Sequence, residues 1–284
     1  MKVGVAVLNY NRLEMLKRCL GSLHDTMAGS SFDCLIWDAG SDDGSQEWLR
    51  DTRNISWVSG VEFDDPPDPG CWPRFSYAQT VNRAAQWLSK RCGIEFFYPL
   101  NNDTIATSHW LGPCLETFTS DPTIGHVGSV VKYGPSSQPS MRNKAQSAGA
   151  FWVKWNNEWT TRSAYCMGQV VPDYVYDVDY AGFGMYRMDL FQQFGGLCED
   201  YPPIYFDDPD WGLTLWTNGY RVVVDPRSVI IHDHLPLPDM YNEKERAHHF
   251  ASIGPNKEKF LKKWSHILTP GGVRWSGLPH VVGC

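Results

Sequence analysis

The stretch EFFYPLNNDT, residues 95–104, decides the reading of this chain. Its first half is apolar and aromatic, the composition of a buried strand. Its second half turns abruptly into Asn101, Asn102 and Asp103, residue types that end strands and occupy turns. A strand that delivers them to the rim of a sheet puts one hard carboxylate oxygen, on Asp103, where a diphosphate can share a divalent cation. The same residues also make an ordinary Asx turn, so the flanking sequence has to separate the two readings.

Upstream, Val3 to Leu8 is a short β-branched run of buried-strand type, and the turn NYNR leads to a helix with Leu13, Leu16, Leu20 and Leu23 on one face. Residues 32–37 read as a second strand, ending in DAGSDDGS (residues 38–45), with a short helix from Gln46. ISWVS, residues 55–59, reads as a third strand, residues 75–90 as a helix, 95–100 as a strand, 110–118 as a helix and 126–132 as a strand. Strands alternating with helices at this spacing predict an α/β domain with a mainly parallel mixed sheet flanked by helices. Ligands of such sheets bind beyond the carboxyl ends of the strands. Asn9, Asp38 and the Asn101–Asp103 cluster each follow a strand directly, which puts all three on one rim. DAGSDDGS is not a calcium loop, since Asp43 stands at the sixth position where glycine is needed.

The second half changes character. Residues 134–147 form a Ser/Pro-rich loop, followed by the aromatic segments AFWVKW and YVYDVDYAGFGMY, a helix over residues 188–194, and the acidic motif YFDDPDW (residues 205–211). A helix to Asn218, two strands (RVVV and SVIIH) and a basic helical tail from Asn242 complete the chain. Asp207, Asp208 and Asp210 repel one another, and such a carboxylate can serve as a general base. Asp208 before Pro209 equally suits the first turn of a helix. His232 or His234, in IIHDH, can complete a metal shell as a neutral imidazole. No internal repeat or low-complexity linker divides the chain, so one domain over residues 1–284 is expected, with two functional halves (1–133 and 134–240) and a helical tail (241–284).

Composition narrows the classes. The net charge of -7 lacks the basic footprint of proteins that hold nucleic acid through phosphate, so stable nucleic-acid binding is not expected. The eight cysteines form no C-x-x-C pair and no zinc-type spacing, which suits a reducing cytoplasm. The chain starts on a strand without a leader pattern, and no apolar run approaches the ~20 residues that cross a bilayer, so a cytoplasmic protein, peripheral to a membrane at most, is expected. The 13 Trp and 13 Tyr supply core and also the ring faces on which pyranoses stack.

These motifs, in this order, resemble the family 2 glycosyltransferases, especially their rhamnosyltransferase-like branch, over residues 3–264. VAVLNYNR resembles the family's first strand and nucleotide-contacting turn, which implies Asn9, Tyr10 and Arg12 at the donor. DAGSDDGS is similar to DNGSxDGS, whose first Asp, here Asp38, contacts the base. Asn82 in TVNRAA resembles the Asn of the helix before the metal motif. LNNDT is similar to the family's D-x-D variant, implying Asp103 as metal ligand with Asn102 beside it. The run from Gly182 through YFDDPDW resembles the acceptor-side segment, implying Asp208 as base with Asp207 beside it. His232 follows Pro226 by six residues, as in P-x-x-x-x-x-H, and NKEKFLKKW resembles the terminal helix ending in KW.

The resemblance implies a single Rossmann-like domain of the A-type glycosyltransferase fold. It also implies a Mn²⁺ or Mg²⁺ cofactor, a UDP-, dTDP- or GDP-sugar donor, and inverting transfer to a hydroxyl acceptor. Asp207 replaces the usual Glu, Pro209 interrupts the acidic motif, and Trp216 stands where Arg is frequent. No Q-x-x-R-W motif occurs, which argues against a processive synthase. A non-catalytic carbohydrate-binding module and an enzyme acting on modified DNA bases are the alternatives. A nucleotidyltransferase would carry a Gly-rich basic loop after the first strand, where NYNRLEM stands.

Overall fold

The structure, a computed structural model, describes residues 1–27, 29, 31–51, 53–65, 76–166, 169–233 and 243–268. In chain order the first half comprises β1 (Val3–Asn9), α1 (Leu13–Thr26), β2 (Asp33–Asp38), α2 (Ser45–Arg50), β3 (Gly60–Phe63), α3 (Tyr77–Cys92), β4 (Phe96–Asn101), β5 (Thr104–Ala106), α4 (Gly112–Ser120) and β6 (Ile124–Tyr133). The second half comprises β7 (Ala145–Ser147), β8 (Ala150–Trp155), β9 (Glu158–Ser163), β10 (Tyr176–Asp177), β11 (Gly184–Arg187), α5 (Met188–Gln193), α6 (Asp207–Thr217), β12 (Arg221–His232) and α7 (Glu243–Trp264).

The central sheet runs β10-β12-β6-β11-β4-β1-β2-β3, with β5 added to β12 and β7 to β6. Its long ladders are parallel, β1 with β2 and β4, β2 with β3, and β6 with β12. The antiparallel ladders are short, two or three paired positions each. The apolar runs of β1, β2 and β4 follow from this, since a parallel strand covered by helices on both faces has no polar side to show. One face is packed by α3, α5 and α6 through Val81, Leu88, Phe191 and Trp211, the other by α1 and α4 through Leu16, Leu20, Leu23 and Cys114. A third cluster, Trp152, Tyr201, Leu213, Phe260 and Trp264, seats α7 against β8 and α6.

Two elements differ from the sequence reading. ISWVS is not a strand: Ile55 is buried as a plug, and β3 begins at Gly60. Pairing with β2 starts only where the Ser59 N–H reaches the Cys34 carbonyl, and a Cβ at Gly60 would overlap the Trp87 ring. RVVV and SVIIH, read as two strands, form the single strand β12, whose register against β6 shifts between Asp225 and Val229. Pro226 cannot donate to a ladder, so the strand bulges there rather than stopping. Buried Asp225 holds the bulge, accepting from Thr117 Oγ1 (2.7 Å), Arg227 N (2.9 Å) and Arg227 Nη2 (2.7 Å). Strand β5 and the β8–β9 hairpin were not read from the sequence. Among the described residues, no helix is long and apolar enough to cross a membrane.

β11 joins the β4 side of the sheet to the β6 side, pairing Gly184 with Gly128. A Cβ at Gly184 would collide with the Val127 carbonyl and the His126 ring. Gly184→Ala is therefore expected to destabilise the fold by about 1–3 kcal/mol, read as a lower urea midpoint at unchanged m-value.

Candidate active site

Parallel register sets the rim. Asn9 pairs with Asp38 across β1 and β2, and Leu8 with Asn101 across β1 and β4, so the three strands end level. Beyond their ends the polar residues interlock. Asn9 Nδ2 donates to Asp38 Oδ2 (2.6 Å), and Asn102 Nδ2 donates to Asn9 Oδ1 (2.7 Å) and the Asn11 carbonyl (2.8 Å). Asp38 is fully buried and also accepts from Gly40 N, Ser41 N, Ser41 Oγ and Gln46 Nε2. Asp38 thus ties the two turns together, with its carboxylate engaged by protein donors. Asn11 and Arg12 take left-handed φ values (56° and 63°), which folds the NYNR turn back against Ser41 and Asp42. Tyr10 lies half-buried on the same turn.

Asp103 and His232 are brought together by β5 and β12. Their antiparallel pairing sets His232 opposite Thr104, and the Asp233 N–H donates to the Asp103 carbonyl (2.7 Å). His232 Nε2 then stands 3.2 Å from Asp103 Oδ1, and Arg12 Nη1 stands 3.7 Å from Asp103 Oδ2. Gln146, on β7, places its Oε1 3.0 Å from His232 Nδ1. With that amide oxygen accepting, Nδ1 carries the hydrogen, and Nε2 faces the carboxylate as a donor in the imidazolium or as a lone pair in the neutral ring. The contact is an ion pair when His232 is protonated; when the imidazole is neutral, its Nε2 lone pair and the carboxylate are two ligands that a cation can join. Two ligands of one cation, each ~2.1 Å from it at right angles, stand ~3.0 Å apart, so this imidazole–carboxylate pair fits a divalent ion. Among the described residues, no group of three or more His, Cys, Asp or Glu converges on a metal position. The pair leaves the remaining positions of such an ion open to a ligand.

A cleft of about 290 Å³ extends from His232 along Gln146, Ser163, Tyr180, Gly182 and Phe183. Asp208 borders Gly182: a Cβ there would stand 3.3 Å from Asp208 Oδ2. α6 starts at Asp207, so Asp207, Asp208 and Pro209 fill its first turn, where proline's missing N–H costs nothing. Asp207 Oδ2 and Asp208 Oδ1 are buried with no hydrogen-bond partner among the described residues. Burial pushes the Asp208 carboxyl well above the usual carboxylate range, and the charge of Asp207 adds to it. Burial raises Asp207 as well, its own backbone N–H offsets part of that, and the charge of Asp210 works with burial. Asp210 is treated differently, accepting from Tyr201 Oη, Lys263 Nζ and Trp264 Nε1.

Asn82 stands apart from the rim. Its Oδ1 accepts from Leu197 N (2.8 Å) and its Nδ2 donates to the Leu197 carbonyl and Glu199, which holds the Gly195–Gly196 turn. His234 lies outside the described residues. Sequence reading missed Gln146, Lys263 and Trp264 as neighbours of the site. Only the KW ending of NKEKFLKKW carried a signal for the last two.

A sequence model described as glycosyl transferase family 2 matches residues 5–195. Searched against curated proteins, the chain has no match. Among solved structures, GalNAc-T7 with UDP, GalNAc and Mn²⁺ aligns with a TM-score of 0.65 at 13% identity, over 96% of this chain and 52% of that one. The mannosyltransferase PcManGT from Pyrobaculum calidifontis, in complex with GDP-Man and Mn²⁺, aligns at 0.58 and 14%, over 95% and 66%. TarS of S. aureus aligns at 0.54 and 14%, over 92% and 44%. This chain therefore spans about half to two thirds of the first two. At such identities the likeness speaks to the fold: a mixed α/β sheet flanked by helices, as in glycosyltransferases of the A type.

The acid pair also leaves a mark on stability. In the folded state its carboxyls bind protons more tightly than in the unfolded chain, so between the unfolded and folded pKa values the native state carries more protons and stability falls as pH rises. Asp208→Asn removes that penalty. The variant is expected to be more stable than wild type at pH 7–8, on the order of 1 kcal/mol, with the difference shrinking towards pH 4. Thermal melts across that range test it, and a less stable variant at pH 7–8 would contradict the assignment of an uncompensated buried charge.

Proposed function

The chain belongs to glycosyl transferase family 2, and we propose that it moves a sugar from a UDP-, dTDP- or GDP-linked donor to an acceptor hydroxyl, with inversion at the anomeric carbon. The observation that carries this reading is the separation of two kinds of acid along one cleft. Asp103 is paired with the imidazole of His232, which lines the cleft, whereas Asp208 stands behind Gly182, another lining residue, with a buried oxygen that nothing among the described residues satisfies.

In the proposed reaction the Asn9–Asp38–Asn102 network holds the rim turns that receive the nucleotide, with Tyr10 and Arg12 on the turn that faces it. Asn82, on this reading, acts on the donor side only through the loop it secures. Asp103 and His232 would hold the divalent cation, Mn²⁺ or Mg²⁺. The chemistry such a cation would supply there is neutralisation of the charge developing on the diphosphate leaving group. Arg12, 3.7 Å from Asp103, adds positive charge on the same side. The acceptor hydroxyl enters from the Gly182–Phe183 side. Its oxygen forms a bond to the anomeric carbon as the bond to the diphosphate breaks, and the electron pair leaves with the diphosphate. The hydroxyl proton passes to Asp208, whose raised proton affinity makes it a stronger base than an exposed carboxylate. Inversion is proposed from the resemblance to family 2, and a single displacement with one base, Asp208, agrees with it. On this reading residues 1–133 form the donor half and 134–240 the acceptor half, with His232 reaching from the second half to the donor's cation, and the acidic balance favours a glycan or other neutral hydroxyl acceptor over nucleic acid.

A nucleotide-sugar hydrolysis panel with Mn²⁺ or with EDTA tests the reading. Wild type is expected to hydrolyse at least one donor only with metal, and Asp103→Ala to lose that activity. Failure of every donor to bind or turn over, or an Asp103→Ala enzyme equal to wild type, would sink it. Asp208→Asn is expected to keep donor affinity, by calorimetry, while its turnover falls ~100- to 10,000-fold.

A further inference from the structure

The C-terminal half of α7 lies some fifty residues downstream of the acidic motif and outside the segment matched by the family model, yet one of its faces grips the whole approach to that motif. Asn256 Nδ2 donates to the carbonyls of Pro202 (3.1 Å) and Ile204 (3.0 Å), and Lys259 Nζ to that of Asp200 (2.7 Å). Phe260, fully buried, packs on Trp152, Tyr201 and Phe206. Lys263 Nζ lies 2.8 Å from Asp210 Oδ2, and Trp264 Nε1 donates to the same oxygen at 2.7 Å. These side chains recur three and four residues apart, the spacing of one helix face.

The segment under this face is strained. Tyr205 and Phe206 both adopt left-handed φ values (74° and 73°) immediately before Asp207. Such non-glycine conformations cost ~1–3 kcal/mol each and persist only where the surroundings hold them. α6 therefore begins, and aims its first-turn carboxylates, from a backbone kink that α7 holds in place. Charge adds a second link. Three carboxylates sit within four residues, and Lys263 is the cation that engages them, through Asp210. It leaves Asp207 and Asp208 to face each other, Tyr77 from α3, Tyr186 from β11, and Tyr180 with its neighbour Asp179 ahead of β11.

We propose that α7 positions the acid pair, with Lys263 acting through Asp210 as the counter-ion that limits how much negative charge Asp207 and Asp208 experience. Lys263 and Trp264 are thus positioning residues, and the proposal rests on Asp208 being the base. Without Lys263, the Asp210 charge is compensated only by neutral donors and the pair holds its protons to higher pH. Without the Asp210 charge, the pair releases them at lower pH. A clamp that served folding alone would shift the melting temperature and leave both midpoints where they were.

The test is a carbon-13 carboxyl NMR titration of aspartate-labelled protein, with the pair assigned through Asp207→Asn and Asp208→Asn. It needs neither donor nor acceptor, so it stands or falls apart from sugar transfer, which the hydrolysis panel judges. Lys263→Met is expected to raise the midpoint of the pair by ~0.5–1 pH unit and Asp210→Asn to lower it by a similar amount. Lys263→Arg should titrate as wild type. Lys263 is 46% exposed, so its replacement should fold, and if Asp210→Asn does not fold, Lys263→Met decides alone. Unmoved midpoints, or both variants shifting the same way, would overturn the counter-ion role.

Discussion

The site hangs on one ladder, the parallel pairing of β6 with β12 carried across a bulge. If β12 ended at Pro226, His232 would have no strand to deliver it. The chain keeps pairing because Asp225 gathers Thr117 and Arg227 around the kink, so that the backbone groups freed there are offset by charge-assisted bonds. The resumed strand then pairs with β5, and this second ladder fixes His232 against Asp103. A local irregularity that looks like a break in sequence is thus the device that joins the late part of the chain to the rim built by β1, β2 and β4. Bulges that redirect a strand next to functional residues are a recurring use of this geometry.

Most of the rim was legible in the sequence for a physical reason. Parallel strands buried on both faces are nearly uniform in apolar content, so the switch to Asn9, Asp38 or Asn101 stands out, and level strand ends follow from register. The shift of β3 from ISWVS to Gly60–Phe63 was not legible. Ile55 and Val58 satisfy a strand pattern equally well when they plug a core under a turn, and the pairing start is set by a tertiary contact between Gly60 and Trp87. Gln146 was invisible because its meaning comes from a three-residue strand inside a Ser/Pro-rich loop. Lys263 and Trp264 were legible only as a family-like ending, since their partner Asp210 lies more than fifty residues away.

The treatment of buried carboxylates separates structural acids from the reactive candidate more sharply than position does. Asp38 is surrounded by amide, hydroxyl and backbone donors. Asp225 has Arg227 and Thr117, Asp233 has Arg18 and Ser136, and Asp210 has Lys263, Tyr201 and Trp264. Each of these groups accepts several hydrogen bonds or ion pairs, and each joins two elements of the fold. Asp207 and Asp208 each keep a buried oxygen with no such compensation among the described residues. Leaving a buried carboxylate unsatisfied is expensive, and stability alone would not retain it.

That cost also explains why the acidic motif is assembled as it is. A carboxyl held at high proton affinity serves as a base only if its surroundings stop short of keeping it protonated at working pH. In this chain the two influences arrive from opposite directions: burial against β11 and α3 raises the affinity, while the lysine of α7, engaging Asp210, restrains it. The balance depends on three segments far apart in sequence meeting at the first turn of α6. A base tuned in this way can be adjusted by changes at α7, away from the cleft, without altering any residue that lines it.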